Sequence, residues 1–237
     1  MPNLMKHWAL WIDIEGFSAK NKEQLYIPPL RNLADDLYKI GSLVYPQCKD
    51  CLYIYQFVDA FLIRPNFPED NIEKPIAIAT VLMRLGILRK YTTKSALSIG
   101  ELSDIAACYS EEIFKKQQNG CISLGNGLMT LTPIMGTAIV KAHSLSENES
   151  GPLLIVDEEL KGYINASTTT LRIGKVTCIN WLSLNNTSAD NILKIINPNP
   201  TSEKPDYKKA LGEYIKENSN ELTSNWIENA KKLLESA

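Results

Sequence analysis

Residues 8–18 read WALWIDIEGFS: five apolar residues, then Asp13 and Glu15 flanking Ile14, then a glycine, a phenylalanine and a serine. From His7 to Ile14 the run has the composition of a mostly buried strand, so a carboxylate on its end needs a reason. Working outward, Leu30, Leu33, Leu37, Ile40 and Leu43 recur at helical spacing after a proline start, which predicts a helix from Pro28 to about Val44. The next stretch, LYIYQFVDAFLIRP at 52–65, is rich in β-branched and aromatic residues. Asp59 in its middle suits the bend of a hairpin better than a strand interior. Glu73 to Tyr91 carries Ile76, Ala79, Val81, Leu82, Leu85 and Leu88 and predicts a second helix, followed by the strand KSALSIGEL near 94–102. The order βαββαβ defines an α+β fold of the ferredoxin-like or palm type, one antiparallel sheet with helices on one side.

Additional strands and helices are predicted beyond this core. CISLGNGLMTL at 121–131 is strand-like, and its SLGNGL segment reads as a hairpin turn because the G-x-G has neither the third glycine nor the lysine of a nucleotide fingerprint. A helix is expected around Gly136 to Ser146, a short strand at LLIV (153–156) and a strand pair in TLRIGKVTCINWLSL (170–184). From Asn197 the composition turns to NPNPTSEKP, which is linker chemistry. This divides the chain into a domain at 1–196 and a linker with two helices at 197–237, the helices spanning roughly Tyr207 to Lys216 and Leu222 to Leu234.

With 237 residues, 44% hydrophobic and 22% charged, the chain can bury a sizeable core. A formal net charge of -2 gives no basic footprint, which argues against nucleic acid as the main partner. The apolar runs are too short, and too often broken by Asp13 or Asp59, to span a bilayer or act as a signal peptide, so a cytoplasmic location is expected. Five scattered cysteines read as reduced thiols. Cys48 and Cys51 form a C-x-x-C, but with no second pair and with His7 and His143 far apart it lacks a zinc ligand set and reads as a turn before a strand.

The chemistry lies at the strand ends. Asp13 ends the first strand and Asp59 sits at the bend between the second and third, so in a sheet where these strands are neighbours both carboxylates project from one edge. Such a pair suits Mg²⁺ or Mn²⁺, which take carboxylates, water and substrate phosphates. The turn opened by Gly16, Phe17 and Ser18 offers backbone N–H groups to an anion, and metal and amides would meet at a triphosphate. Singly, each carboxylate would be an ordinary turn former; joint placement makes them a candidate site. Tyr53, Tyr55 and Phe57 suit one face of a strand at least as well as a base-stacking platform, and Lys94 and Lys141 would by default be solvated charges.

WIDIEGFS, then FVDAFLI, SALSIGELSD and MGTAIVKAHSLSENESGPLLIVDEEL, together covering about residues 6–160, resemble the class III nucleotidyl cyclase catalytic domain and, more closely, its bacterial anti-phage branch, the Pycsar pyrimidine cyclases. The resemblance implies that Asp13 and Asp59 ligate two divalent ions, Mn²⁺ or Mg²⁺, with the carbonyl of Ile14, and that Gly16, Phe17 and Ser18 receive phosphate. Purine cyclases of this class carry a base-reading lysine four residues before the second aspartate; here that residue is Tyr55, and Pro133 replaces a further expected aspartate. Purine readout is lost, which favours UTP or CTP. Tyr55, together with Lys94 as the basic residue opening the SALSIG strand, matches the pyrimidine branch. The asparagine and arginine that classical members place on the helix after Gly136 are Val140 and Ser144, so Lys94, Lys141 or His143 must replace them or the domain is slow or inactive. Glu15 keeps the motif's spelling and is expected to cap the following turn without a catalytic role. The implied reaction is UTP to 3′,5′-cyclic UMP and pyrophosphate, with Lys94 as catalytic cation. Cyclic CMP production or an inactive nucleotide-binding homologue are the alternatives. A homodimer with shared sites is also implied, Tyr55 serving the partner's site, and so is an effector that senses the cyclic nucleotide in anti-phage defence.

Overall fold

The strand that opens the chain becomes the centre of the structure. The computed structural model describes residues 6–15, 23–44, 48–69, 71–105, 108–115, 117–118, 121–124, 127–130, 132, 134–166, 168–196 and 205–237. In chain order the elements are β1 (His7–Ile14), α1 (Glu23–Val44), β2 (Leu52–Phe57), β3 (Ala60–Pro65), α2 (Glu73–Leu88) and β4 (Thr93–Gly100). Short elements follow: β5 (Ser103–Asp104), α3 (Glu111–Lys115), β6 (Gln117–Gln118), β7 (Cys121–Leu124), β8 (Gly127–Thr130) and β9 (Ile134–Met135). The rest comprises α4 (Thr137–Glu147), β10 (Leu154–Val156), a 3-10 turn at Glu158–Tyr163, β11 (Thr170–Ile173), β12 (Val176–Ile179), α5 (Thr187–Ile196), α6 (Tyr207–Asn218) and α7 (Ser224–Glu235).

Seven strands form one sheet in the order β11-β12-β10-β4-β1-β3-β2. Only the β10–β4 pair is parallel. The βαββαβ part, with its strands in the order β4-β1-β3-β2, is the ferredoxin-like arrangement, and the later strands extend it past β4. The protein is therefore α+β, as the order of elements predicts.

Period-two alternation sorts β1 between two environments. Trp8, Leu10, Ile12 and Ile14 point into the main core with α1 and α2, where each such side chain contributes roughly 1.5–3 kcal/mol by leaving water. The indole N–H of Trp8 donates to Glu69 at 2.9 Å, so the ring is buried without orphaning its one donor. Ala9, Trp11 and Asp13 point to the other face, on which α4 packs: Ala138 and Ala142 lie against Ala9 and Leu62. That close approach relies on Gly100 and Gly136. A Cβ on Gly100 would lie 2.6 Å from Thr137 Oγ1, and one on Gly136 would lie 2.1 Å from the carbonyl oxygen of Glu101.

Several boundaries differ from the periodicity. Helix α1 starts at Glu23, and Pro28 and Pro29 lie inside it, where each removes a backbone donor. The predicted hairpin of SLGNGL is present, with Leu124 pairing Gly127. Helix α5 was not anticipated; its sequence, TSADNILKII, is short and follows a polar stretch. Cys48 and Cys51, expected as reduced thiols, lie with their sulfur atoms side by side. Asp50, with φ of 58°, turns the loop back so that the two Cα atoms approach to 5.7 Å, a separation a bridge can span.

The C-terminal helices pack on this body: Leu211, Tyr214, Trp226, Ala230 and Leu233 belong to the same core cluster as β1 and α2. Arg84, buried in α2, donates to the carbonyls of Trp181 and Leu184 and lies 4.7 Å from the Tyr207 ring centre. The predicted linker at 197–204 lies outside the described residues. Among the described residues no helix is long and apolar enough to cross a membrane.

Candidate active site

The open face of the sheet carries the candidate site, and the strand register sets it out in rows. Phe57, Ala60, Asp13 and Lys94 are directly opposite one another across β2, β3, β1 and β4; Tyr55, Leu62, Trp11 and Ala96 form the next row. Asp59 occupies the two-residue connection between β2 and β3, next to Ala60, so the pairing of Ala60 with Asp13 brings the two aspartates to one edge. The hairpin expected from Asp59 is therefore present.

Its tip is strained. Val58 has φ of 55° and is 76% exposed; a β-branched side chain in the left-handed region costs about 1–2 kcal/mol. Val58→Asn is expected to raise unfolding free energy by about 1 kcal/mol in urea titration, since asparagine tolerates this region far better. An unchanged midpoint would mean that the tip is relaxed by other contacts.

Asp13 is half-buried, and its Oδ1, shielded from water, has no hydrogen-bond partner among the described residues. Burial pushes its carboxyl up to about 7; Lys94 opposes that shift, and Glu15 and Asp59 add to it. A carboxylate with an unused lone-pair face, beside a second carboxylate, fits a hard divalent cation. Among the described residues no group of three or more His, Cys, Asp or Glu side chains converges on a metal position. The pair alone suits an ion that completes its shell with water and phosphate.

Lys94 Nζ donates to Glu15 Oε1 at 2.8 Å, and both side chains are about nine-tenths buried. Burial alone would lower the lysine's pKa, but Glu15 and Asp13 outweigh it and hold the ammonium charged. The other oxygen of Glu15, Oε2, accepts from the backbone N–H of Gly151 at 3.1 Å. The turn that Glu15 was expected to cap lies outside the described residues. Both of its oxygens are engaged across the molecule, and it fixes the position of Lys94.

Tyr55 stands apart from this group. Its hydroxyl accepts from Arg64 Nη2 at 3.0 Å, on the part of the face lined also by Tyr53, Asn66 and Asp104. Ile14 is buried in the main core, while Gly16, Phe17, Ser18 and Pro133 lie outside the described residues.

On α4, Val140 is 65% exposed and Ser144 is exposed. Of the three candidate replacements for the missing asparagine and arginine, Lys141 is tied to Glu159 at 2.5 Å and to Asp157 at 3.5 Å. His143 packs edge-on against Trp11 with ring centres 4.8 Å apart, and Lys94 adjoins Asp13. Lys94 and His143 thus face the open side of the sheet.

Sequence reasoning missed Glu15 as a positioning residue and Arg64 altogether. Arg64 carried a usable signal: a two-residue turn at Val58 and Asp59 places it opposite Tyr53.

No protein-family profile matches the chain, and no curated protein does. Among solved structures, the crystal structure of the adenylyl cyclase CyaB from P. aeruginosa is similar at 13% identity, covering 73% of this chain and 91% of that chain with a TM-score of 0.45.

Proposed function

We propose that the protein is a class III nucleotidyl cyclase of the pyrimidine-specific, anti-phage branch, converting UTP to 3′,5′-cyclic UMP and pyrophosphate. The observation that carries this reading is Asp13: a carboxylate with one shielded, unbonded oxygen, beside Asp59 and within the WIDIEGFS motif. In the reaction the ribose 3′-oxygen attacks the α-phosphorus as its proton passes to solvent, and the bond from that phosphorus to the β-bridging oxygen breaks to release pyrophosphate. Two divalent ions, Mn²⁺ or Mg²⁺, when bound by Asp13, Asp59 and the Ile14 carbonyl, supply the charge that acidifies the 3′-hydroxyl and neutralises the leaving group.

The chain's own residues do the rest. Asp13 and Asp59 bind the cations, and Gly16, Phe17 and Ser18 present amides to the phosphates. Lys94, held by Glu15, adds a fixed positive charge where negative charge develops. Tyr55 contacts the base, whose missing second ring leaves room for a phenol. The exposed apolar side chains of Phe57 (38% exposed), Val58 and Val140 support a homodimer in which Tyr55 serves the partner's site. The product then acts as a cytoplasmic second messenger read by a cyclic-nucleotide-binding effector.

Incubation with each of the four nucleoside triphosphates and Mn²⁺ is expected to give a cyclic pyrimidine nucleotide and pyrophosphate from wild type and none from Asp59→Ala. Product from ATP would sink the argument from Tyr55. An exposed Val140 and Ser144, where the resemblance implies an asparagine and an arginine, favour the second reading, a nucleotide-binding homologue without turnover. Nucleotide binding with no product from any triphosphate would establish it.

A further inference from the structure

Resting on the reading of Tyr55 as the base contact, the geometry points to Arg64 as the residue that selects uridine over cytidine, because it fixes the Tyr55 hydroxyl as a donor. Arg64 lies opposite Tyr53 in the β2–β3 hairpin. Its guanidinium stacks 4.4 Å from the Tyr53 ring centre and 5.7 Å from that of Tyr55. Nη1 donates to the Pro65 carbonyl at 3.0 Å, and Nη2 donates to the Tyr55 hydroxyl, also at 3.0 Å. The group is thus held by two rings and two hydrogen bonds, and its orientation is set before any ligand arrives.

The consequence lies in hydrogen-bond polarity. Guanidinium donates and never accepts, whereas a phenol oxygen does both. With its oxygen already accepting from Arg64, the Tyr55 hydroxyl turns its own proton outward. A cavity of about 230 Å³ opens beside the pair, lined also by Asn66, Ser103 and Asp104. Uracil and cytosine differ at position 4, a carbonyl in one and an amino group in the other. A fixed donor pairs with the carbonyl and confronts the amino group with a second donor, leaving both unsatisfied. Arg64 therefore acts through Tyr55, as a positioning residue for specificity.

The test measures binding of the α,β-methylene analogues of UTP and CTP by calorimetry with Mg²⁺, and kcat and KM for both triphosphates. The wild type should prefer the uridine analogue by roughly tenfold. Tyr55→Phe should weaken the uridine analogue and tighten the cytidine one, whose amino group no longer meets a donor. Arg64→Met, which keeps an apolar stack on Tyr53, should bring the ratio close to unity through KM with kcat for UTP little altered, and Arg64→Lys should restore most of the preference. A ratio unchanged in Arg64→Met, or equal loss of both analogues there and in Arg64→Lys, would show that Arg64 is only structural. A wild-type preference for the cytidine analogue would overturn the polarity argument. Failure of the wild type to bind either analogue would overturn the cyclase reading itself, a result distinct from the others.

Discussion

Asp13→Asn is expected to yield a protein that is more stable than wild type at pH 8 and has lost the proposed cyclase activity by a factor of about a thousand or more. The stability arm follows from linkage. The carboxyl is pushed from its ordinary 3.8 up to about 7 by burial, with contributions from Glu15 and Asp59. A carboxylic acid whose folded pKa is raised binds its proton more tightly when folded. Below about pH 4 it costs nothing; as pH climbs from there to about 7 the folded state loses stability, on the order of 3–4 kcal/mol by the end of that window. Asparagine has no proton to lose. The gap between variant and wild type should therefore open between pH 4 and pH 7 and stay constant above, in urea titrations without metal. Mn²⁺ should raise the unfolding midpoint of the wild type and not that of the variant, by mass action on the folded state. A variant no more stable than wild type at pH 8 would mean that Asp13 is already compensated and does not await a cation.

Glu15→Gln has the second largest expected effect, on metal affinity. In the wild type Glu15 keeps the Lys94 ammonium at 2.8 Å, although Asp13 stands directly opposite Lys94 in the β1–β4 register. Without that carboxylate, Lys94 has one remaining anionic neighbour on its row and moves to Asp13, where its charge competes with any divalent ion. Mn²⁺ affinity measured by calorimetry should fall by roughly tenfold to a hundredfold, the usual scale for losing a supporting partner of a metal ligand. The metal-free protein should lose about 1–3 kcal/mol of stability, less than the usual cost of stranding a buried charge, because Asp13 re-pairs the lysine. An unchanged Mn²⁺ affinity would show that Glu15 holds Lys94 for fold stability alone.

Much of the framework was legible before any coordinates. The first strand was placed residue for residue because the apolar run ends where a carboxylate and then a glycine interrupt it. The hairpin at Asp59 was legible because a lone aspartate between two β-branched and aromatic runs has no good place in a strand interior. Helix α1 was read as starting at Pro28, since a proline marks a first turn in most helices; here packing of the later turns carries the helix back through both prolines to Glu23. Helix α5 escaped notice because its ten residues contain too few turns for periodicity to rise above the surrounding polar sequence.

The site divides along the same line. That Asp13 and Asp59 share one sheet edge was legible because one stands at a strand's end and the other at the bend of the neighbouring hairpin. Glu15 reaching Gly151, a partner 136 positions away, was not, since nothing in a linear chain tells which distant backbone N–H a side chain will meet. Tyr55 was singled out by its offset from Asp59, but its partner Arg64 was not considered, although the register of a two-residue turn places the two hairpin strands side by side.

The alternation along β1 has a consequence for how the strand finds its place during folding. A slip of β1 by one position against β4 would turn Asp13 inward among Trp8's neighbours, part it from Lys94, and move Leu10 and Ile12 to the open face. A carboxylate buried in hydrocarbon without its ammonium neighbour costs far more than the slip could return. The charged residues that give the open face its chemistry thus also forbid the mispaired sheet, so a variant that makes both positions apolar would be expected to lose alignment as well as activity.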